Sequence, residues 1–253
     1  MDNKNIIHFN TKLKATDRNK LTRENYCVPS NKVNYENKKN IKKAEEFFVK
    51  NNRYPLLISK CYYTIPNDIF ADKEHYTEQW VDKHYKACME NFDLNMNFFN
   101  SLEEAPFQKY LSAFCKKNKF KEIFDLKEVS KKSGIYILVL DKYKQVYIGK
   151  ADDDVKNRIL QHWREKKEFD RLLYGRVETS VLSIDSFGAL DTTRIFYKSV
   201  RSRNIDELES EMVAAFNGDY LLNRVSGGLN AETDATMRNL QLKANIKKRN
   251  LNK

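Results

Sequence analysis

The second half of this chain carries several chemically active side chains at spacings that secondary structure can bring together. Tyr136 and Tyr147 stand near the two ends of GIYILVLDKYKQVYIG, residues 134–149. Arg158 and His162 form an i, i+4 pair, which puts both on one face of a helix. Glu209 and Glu211 lie in NIDELESEMVAAF, and Asn223 lies in LLNRVSGG. A guanidinium can grip an oxyanion through charge-assisted hydrogen bonds, and a lone carboxylate suits Mg²⁺, which keeps most of its own water. Taken one at a time, the tyrosines read as ordinary aromatic strand residues. Only the set argues for a site.

The elements that must position these residues follow from pattern. Ile135 to Leu140 is an apolar, β-branched-rich run, and Gln145 to Ile148 is a second short strand. DKYK between them is a turn of hairpin length. Side chains alternate faces along a strand, so the tyrosines share a face only in one parity of register, for example with Leu140 opposite Gln145. DDDVKNRILQHWREKKEF reads as a helix, with Asp152-Asp153-Asp154 at its start as caps and not as a metal cluster. VETSVLSI and TRIFYKSV are further strand candidates, and NIDELESEMVAAF is a helix ended by Asn217-Gly218. The order β-β-α-β-α implies an α+β fold with a small antiparallel sheet of about three strands flanked by helices.

With these elements in place, the sequence resembles the GIY-YIG nuclease family over residues 134–228. The matching elements, in the family's order, are Gly134-Ile135-Tyr136, Tyr147-Ile148-Gly149, Arg158 with His162, a helix-borne glutamate, and Asn223. The resemblance implies a metal-dependent endonuclease that hydrolyses phosphodiester bonds, with Mg²⁺ or Mn²⁺ as cofactor. It makes Tyr136 the candidate base for the attacking water, with Tyr147 positioning that water or assisting. Arg158 would stabilise the phosphate, any of Arg158, the metal or His162 would help the base, and Asn223 would hold the site together. A tyrosine is a poor base at its reference pKa of about 10, so a neighbour must lower that value or relay the proton away. By the resemblance Glu209 is the expected metal ligand, because the family's glutamate usually has bulky apolar residues three, four and seven positions on, here Met212, Val213 and Phe216. Glu211 lacks that support, although its distance from Asn223 suits the family better. Lys150, directly after the YIG triplet, is a candidate phosphate contact. The family's frequent proline before the asparagine is replaced here by NGDYLL.

Charge and composition supply the rest. The net charge is +11 over 253 residues, which favours a polyanionic partner. Residues 1–133 carry +7, residues 134–237 carry −2, and residues 238–253 carry +6. The organisation expected is a polar, weakly ordered arm over 1–35 and a helical, basic targeting region over 36–130. A nuclease domain over 131–230 and a basic tail over 231–253 complete it. The flanks would supply affinity for nucleic acid, with double-stranded DNA the expected substrate. RNA or branched DNA is the alternative, as is a non-catalytic binding protein on the same scaffold. His8, His75 and His84 read as surface or packing residues. Four cysteines without a close pair suggest free thiols. No apolar run long enough for a membrane span and no signal peptide is evident, so a cytoplasmic location is expected.

Overall fold

The computed structural model describes residues 6–27, 54–55, 75–76, 78–164, 172, 177, 180–200 and 204–223. They form an α+β protein built from four helices and antiparallel sheets. The helices are α1 (Glu78–Ser101), α2 (Glu104–Lys117), α3 (Val155–Arg164) and α4 (Ile205–Ala215). The strands are β1 (Ile7–His8), β2 (Thr11–Lys12), β3 (Tyr54–Pro55), β4 (His75–Tyr76), β5 (Lys121–Ile123), β6 (Gly134–Leu140), β7 (Gln145–Ala151) and β8 (Arg194–Ser199). None of the described helices is long and apolar enough to cross a membrane.

The chain divides into two compact units. The first comprises Met1–Leu21, Leu94–Glu165 and Val181–Lys253. Its centre is the four-stranded antiparallel sheet, in the order β5-β8-β6-β7. All seven residues of β6 are buried, as a central strand covered on both faces requires. The β6–β7 turn is a 3-10 turn over Asp141–Tyr143, closed by Lys144 in the left-handed region at φ 50°. Arg194 on β8 ties that turn down, donating from Nε to Asp141 at 3.0 Å and from Nη2 to Asp141 and Gln108.

The sheet has four strands where about three were expected. The extra one, β5, lies in a stretch that reads as helix. Helix α2 stops at Lys117 because Lys119 takes a left-handed φ of 60° and the Phe120 N–H reaches back to the Cys115 carbonyl at 2.9 Å. Lys121–Ile123 then pairs with β8, so the sheet draws a strand from before the boundary expected at 131. The strand expected in VETSVLSI is absent over described residues 180–184, where Ile184–Ser186 is instead a 3-10 turn.

Residues 6–21, within the arm expected over 1–35, dock onto the same unit. Leu13 and Leu21 are buried, and Phe9 stacks on Trp163 of α3 with ring centroids 6.1 Å apart. His8 makes a 2.9 Å hydrogen bond with the Thr192 carbonyl, and burial lowers its pKa. Buried Asp191 accepts from Leu21 N at 2.8 Å, Gly188 N at 2.9 Å and the Tyr143 hydroxyl at 3.2 Å.

The second unit comprises Thr22–Asp93 and Lys166–Ser180. Tyr26 packs on Phe92 of α1 at 4.9 Å, and Arg23 grips Asp93 through two hydrogen bonds of 2.8 and 2.9 Å. His84 stacks on Trp80 and lies 3.3 Å from Cys88 Sγ. Cys27, Cys88 and Cys115 are buried free thiols. Residues 36–53 of the expected helical region, Cys61, the His75 side chain and the tail over 231–253 lie outside the described residues.

Removing Asp191 strips three buried donors of one acceptor. Asp191→Ala should therefore cost about 2–4 kcal/mol, read as a lower urea midpoint with little change in slope.

Candidate active site

The register of the β6–β7 hairpin decides where the tyrosines go. Leu140 pairs with Gln145, Leu138 with Tyr147 and Tyr136 with Gly149. Tyr136, Leu138 and Tyr147 thus project from the same face, with the two phenol rings 6.3 Å apart. Both glycines of the hairpin ends are required by this packing. A Cβ on Gly149 would fall 2.5 Å from the Tyr136 hydroxyl and 2.7 Å from the Tyr147 ring. Gly134 sits at φ +156°, and a Cβ there would meet the Lys198 carbonyl at 2.3 Å.

Helix α3 supplies the next layer. The Asp154 side chain accepts from Asn157 N at 3.0 Å and so caps its first turn. Val155, Ile159, Leu160 and Trp163 are buried, and the same packing carries His162 inward to 3% exposure. His162 Nε2 lies 2.9 Å from the Tyr136 hydroxyl, and its ring meets that of Tyr147 edge-on at 5.0 Å. Its other nitrogen, Nδ1, lies 2.6 Å from Asp185 Oδ1. Arg158, one turn earlier, brings its guanidinium close enough to both phenols to act on their ionisation, and it donates to Gln161 at 2.7 Å.

Electrostatics follow from burial. Tyr136 is fully buried, and that desolvation raises its pKa well above 10, reinforced by Tyr147 and opposed by Arg158. Tyr147 is raised too, first by burial and then by Glu209, with Arg158 again opposing. Neither phenol is poised to ionise by itself.

Helix α4 buries Ile205, Glu209, Met212 and Val213, while Glu211 is exposed. Glu209 is pushed up to about 7, chiefly by burial, with Lys150 and Arg158 pulling the other way. A carboxyl with that balance is short of positive charge, and a divalent cation against it would restore the ionised form. Glu209 therefore fits the single-carboxylate role expected of it. Among the described residues, no group of three or more His, Cys, Asp or Glu side chains is arranged to enclose a metal ion. Lys150, the candidate phosphate contact, is ion-paired with Asp206 and lies 3.6 Å from Asp152.

Asn223 closes the free edge of β7. Its Oδ1 accepts from Ile148 N at 3.0 Å and its Nδ2 donates to the Ile148 carbonyl at 2.7 Å. The neighbouring Leu222 N–H bonds the Val146 carbonyl at 2.8 Å. The amide thus imitates a strand residue and fixes the backbone between Tyr147 and Gly149.

All six residues expected to carry the chemistry lie around this hairpin edge. Asp185 was not anticipated; it sits 23 positions from its partner His162, in a loop without periodicity. No protein-family model, no curated protein and no solved structure matches the chain.

The close approach at Gly149 leaves no room for one methyl group. Gly149→Ala should cost about 1–3 kcal/mol through overpacking, measured by urea denaturation, and should displace Tyr136 from His162.

Proposed function

We propose that this protein is a metal-dependent endonuclease of the GIY-YIG type that hydrolyses phosphodiester bonds in DNA. The observation that carries the reading is the hydrogen-bonded set around Tyr136. Its hydroxyl meets His162 Nε2 at 2.9 Å, and the Arg158 guanidinium on the same helix face opposes the rise in both phenol pKa values. Burial alone requires one partner for the hydroxyl, whereas an imidazole backed by a carboxylate also gives its proton a place to go.

On this reading each residue takes a distinct role. Arg158 stays protonated at any relevant pH and presents paired N–H donors to a phosphate. A phosphate held by it would lie near the two phenols on which the guanidinium already acts. Tyr136, whose burial disfavours phenolate, takes the water's proton only as its own proton passes to His162. Tyr147, partly exposed beside it, helps to position the water. Glu209 would hold Mg²⁺ or Mn²⁺, which when bound would supply Lewis acidity and stabilise the leaving oxygen. Asn223 keeps the hairpin edge rigid while charge moves.

A nucleic acid as the substrate rests on charge, and DNA in particular on the resemblance to the family. The −2 of residues 134–237 sits between flanks of +7 and +6, and phosphate neutralisation dominates affinity for nucleic acid. The flanks therefore supply binding, and the site supplies cleavage.

Supercoiled plasmid incubated with the protein and Mg²⁺ should be nicked or linearised, and EDTA should stop it. Glu209→Ala and Arg158→Ala should each slow cleavage by about 100-fold or more, whereas Glu211→Ala should stay within about twofold. Salt-sensitive binding without cleavage of DNA or RNA would replace the enzyme with a binding protein.

A further inference from the structure

We propose that Asp185 is a positioning residue for the proton relay. In this reading it fixes the tautomer of His162 and offsets the charge that the imidazole gains, a role that rests on the nuclease function proposed above. The argument begins with hydrogen placement. An ionised carboxylate only accepts hydrogen bonds, so the 2.6 Å contact from Asp185 Oδ1 requires the proton on His162 Nδ1. A neutral imidazole carries one N–H, which leaves a lone pair on Nε2. The 2.9 Å contact to Tyr136 must then run from the phenol O–H to Nε2. Asp185 thereby aims the Tyr136 proton at the one acceptor that can take it.

The carboxylate is itself held. Asp185 lies in the 3-10 turn Ile184–Ser186, its N–H donates to Ser183 Oγ at 3.3 Å, and the same hydroxyl lies 3.4 Å from Oδ2. Its side chain is 38% exposed, whereas His162 is 3% exposed. The carboxylate can therefore stay ionised at the surface while it serves a buried ring.

The step balances. An O–H bond of the attacking water breaks as its oxygen bonds to phosphorus. That proton joins the Tyr136 oxygen while the phenol proton passes to His162 Nε2. The bond from phosphorus to the leaving oxygen breaks, the electron pair departs with that oxygen, and solvent protonates it. His162 then carries both protons beside the Asp185 carboxylate and later releases one to solvent. Without Asp185, a buried imidazolium would form with no counter-charge at Nδ1.

The test combines ¹⁵N NMR of the imidazole with single-turnover cleavage, on the full chain. In the unaltered protein His162 should show a protonated Nδ1 and a bare Nε2. Asp185→Ala should shift the tautomer toward Nε2–H and lower the cleavage rate by about 100-fold, with DNA affinity unchanged. Asp185→Asn, equal in size, should also lose most activity and covers the case in which the alanine variant fails to fold. Persistence of the Nδ1–H form in Asp185→Ala, or cleavage by both variants within about threefold of the unaltered rate, would overturn the proposal. Because the tautomer is read without substrate, an unaltered protein that shows it and cuts no DNA would defeat the nuclease reading instead.

Discussion

The arrangement depends on one constraint, the pairing of Tyr136 with Gly149 across the β6–β7 hairpin. Side chains alternate along a strand, so a slip of one residue would send the two tyrosines to opposite faces. It would also turn Ile135, Ile137 and Val139 over, all of which are fully buried. With both faces of β6 covered, the register is specified by packing before any chemistry is considered. The missing Cβ at Gly149 lets the Tyr136 ring lie against the neighbouring backbone. Asn223 then holds the outer edge of β7, where a further strand would otherwise pair.

That packing has an electrostatic consequence. Burying phenol, imidazole and carboxyl groups together is unfavourable unless each polar atom finds a partner. The Tyr136 hydroxyl has His162, and the imidazole has Tyr136 and Asp185. The site therefore consists of the same hydrogen bonds that make its burial tolerable. Glu209 stands apart from this chain: its carboxyl is buried, and its two cationic neighbours leave it raised to about 7. Lys150 is already shared with Asp206 and Asp152, so the local positive charge falls short of the negative.

The hairpin, α3, β8 and α4 were legible in the sequence because each declares its period over six or more residues. Other features lacked such a signal. β5 has only three residues and follows a helix that ends at Lys117, just before Lys119, a left-handed lysine where pattern reading looks for glycine. The docking of residues 6–21 depends on sparse anchors, Leu13, Leu21 and the Phe9–Trp163 stack, scattered through a polar segment. Among the site residues, those in regular elements could be placed from spacing, and the structure buries Glu209 while Glu211 stays exposed. Asp185 could not be placed this way, since no period links a loop carboxylate to a helix imidazole.

The charge pattern and the site geometry bear on each other. A catalytic unit that carries its own positive surface could hold nucleic acid in many poses, most of them unproductive. Here residues 134–237 are net −2, Arg158 already donates to Gln161, and Lys150 is already paired with carboxylates. On the nuclease reading, a phosphate gains little by approaching until it displaces those internal partners, and the basic flanks would supply the affinity that makes the exchange favourable.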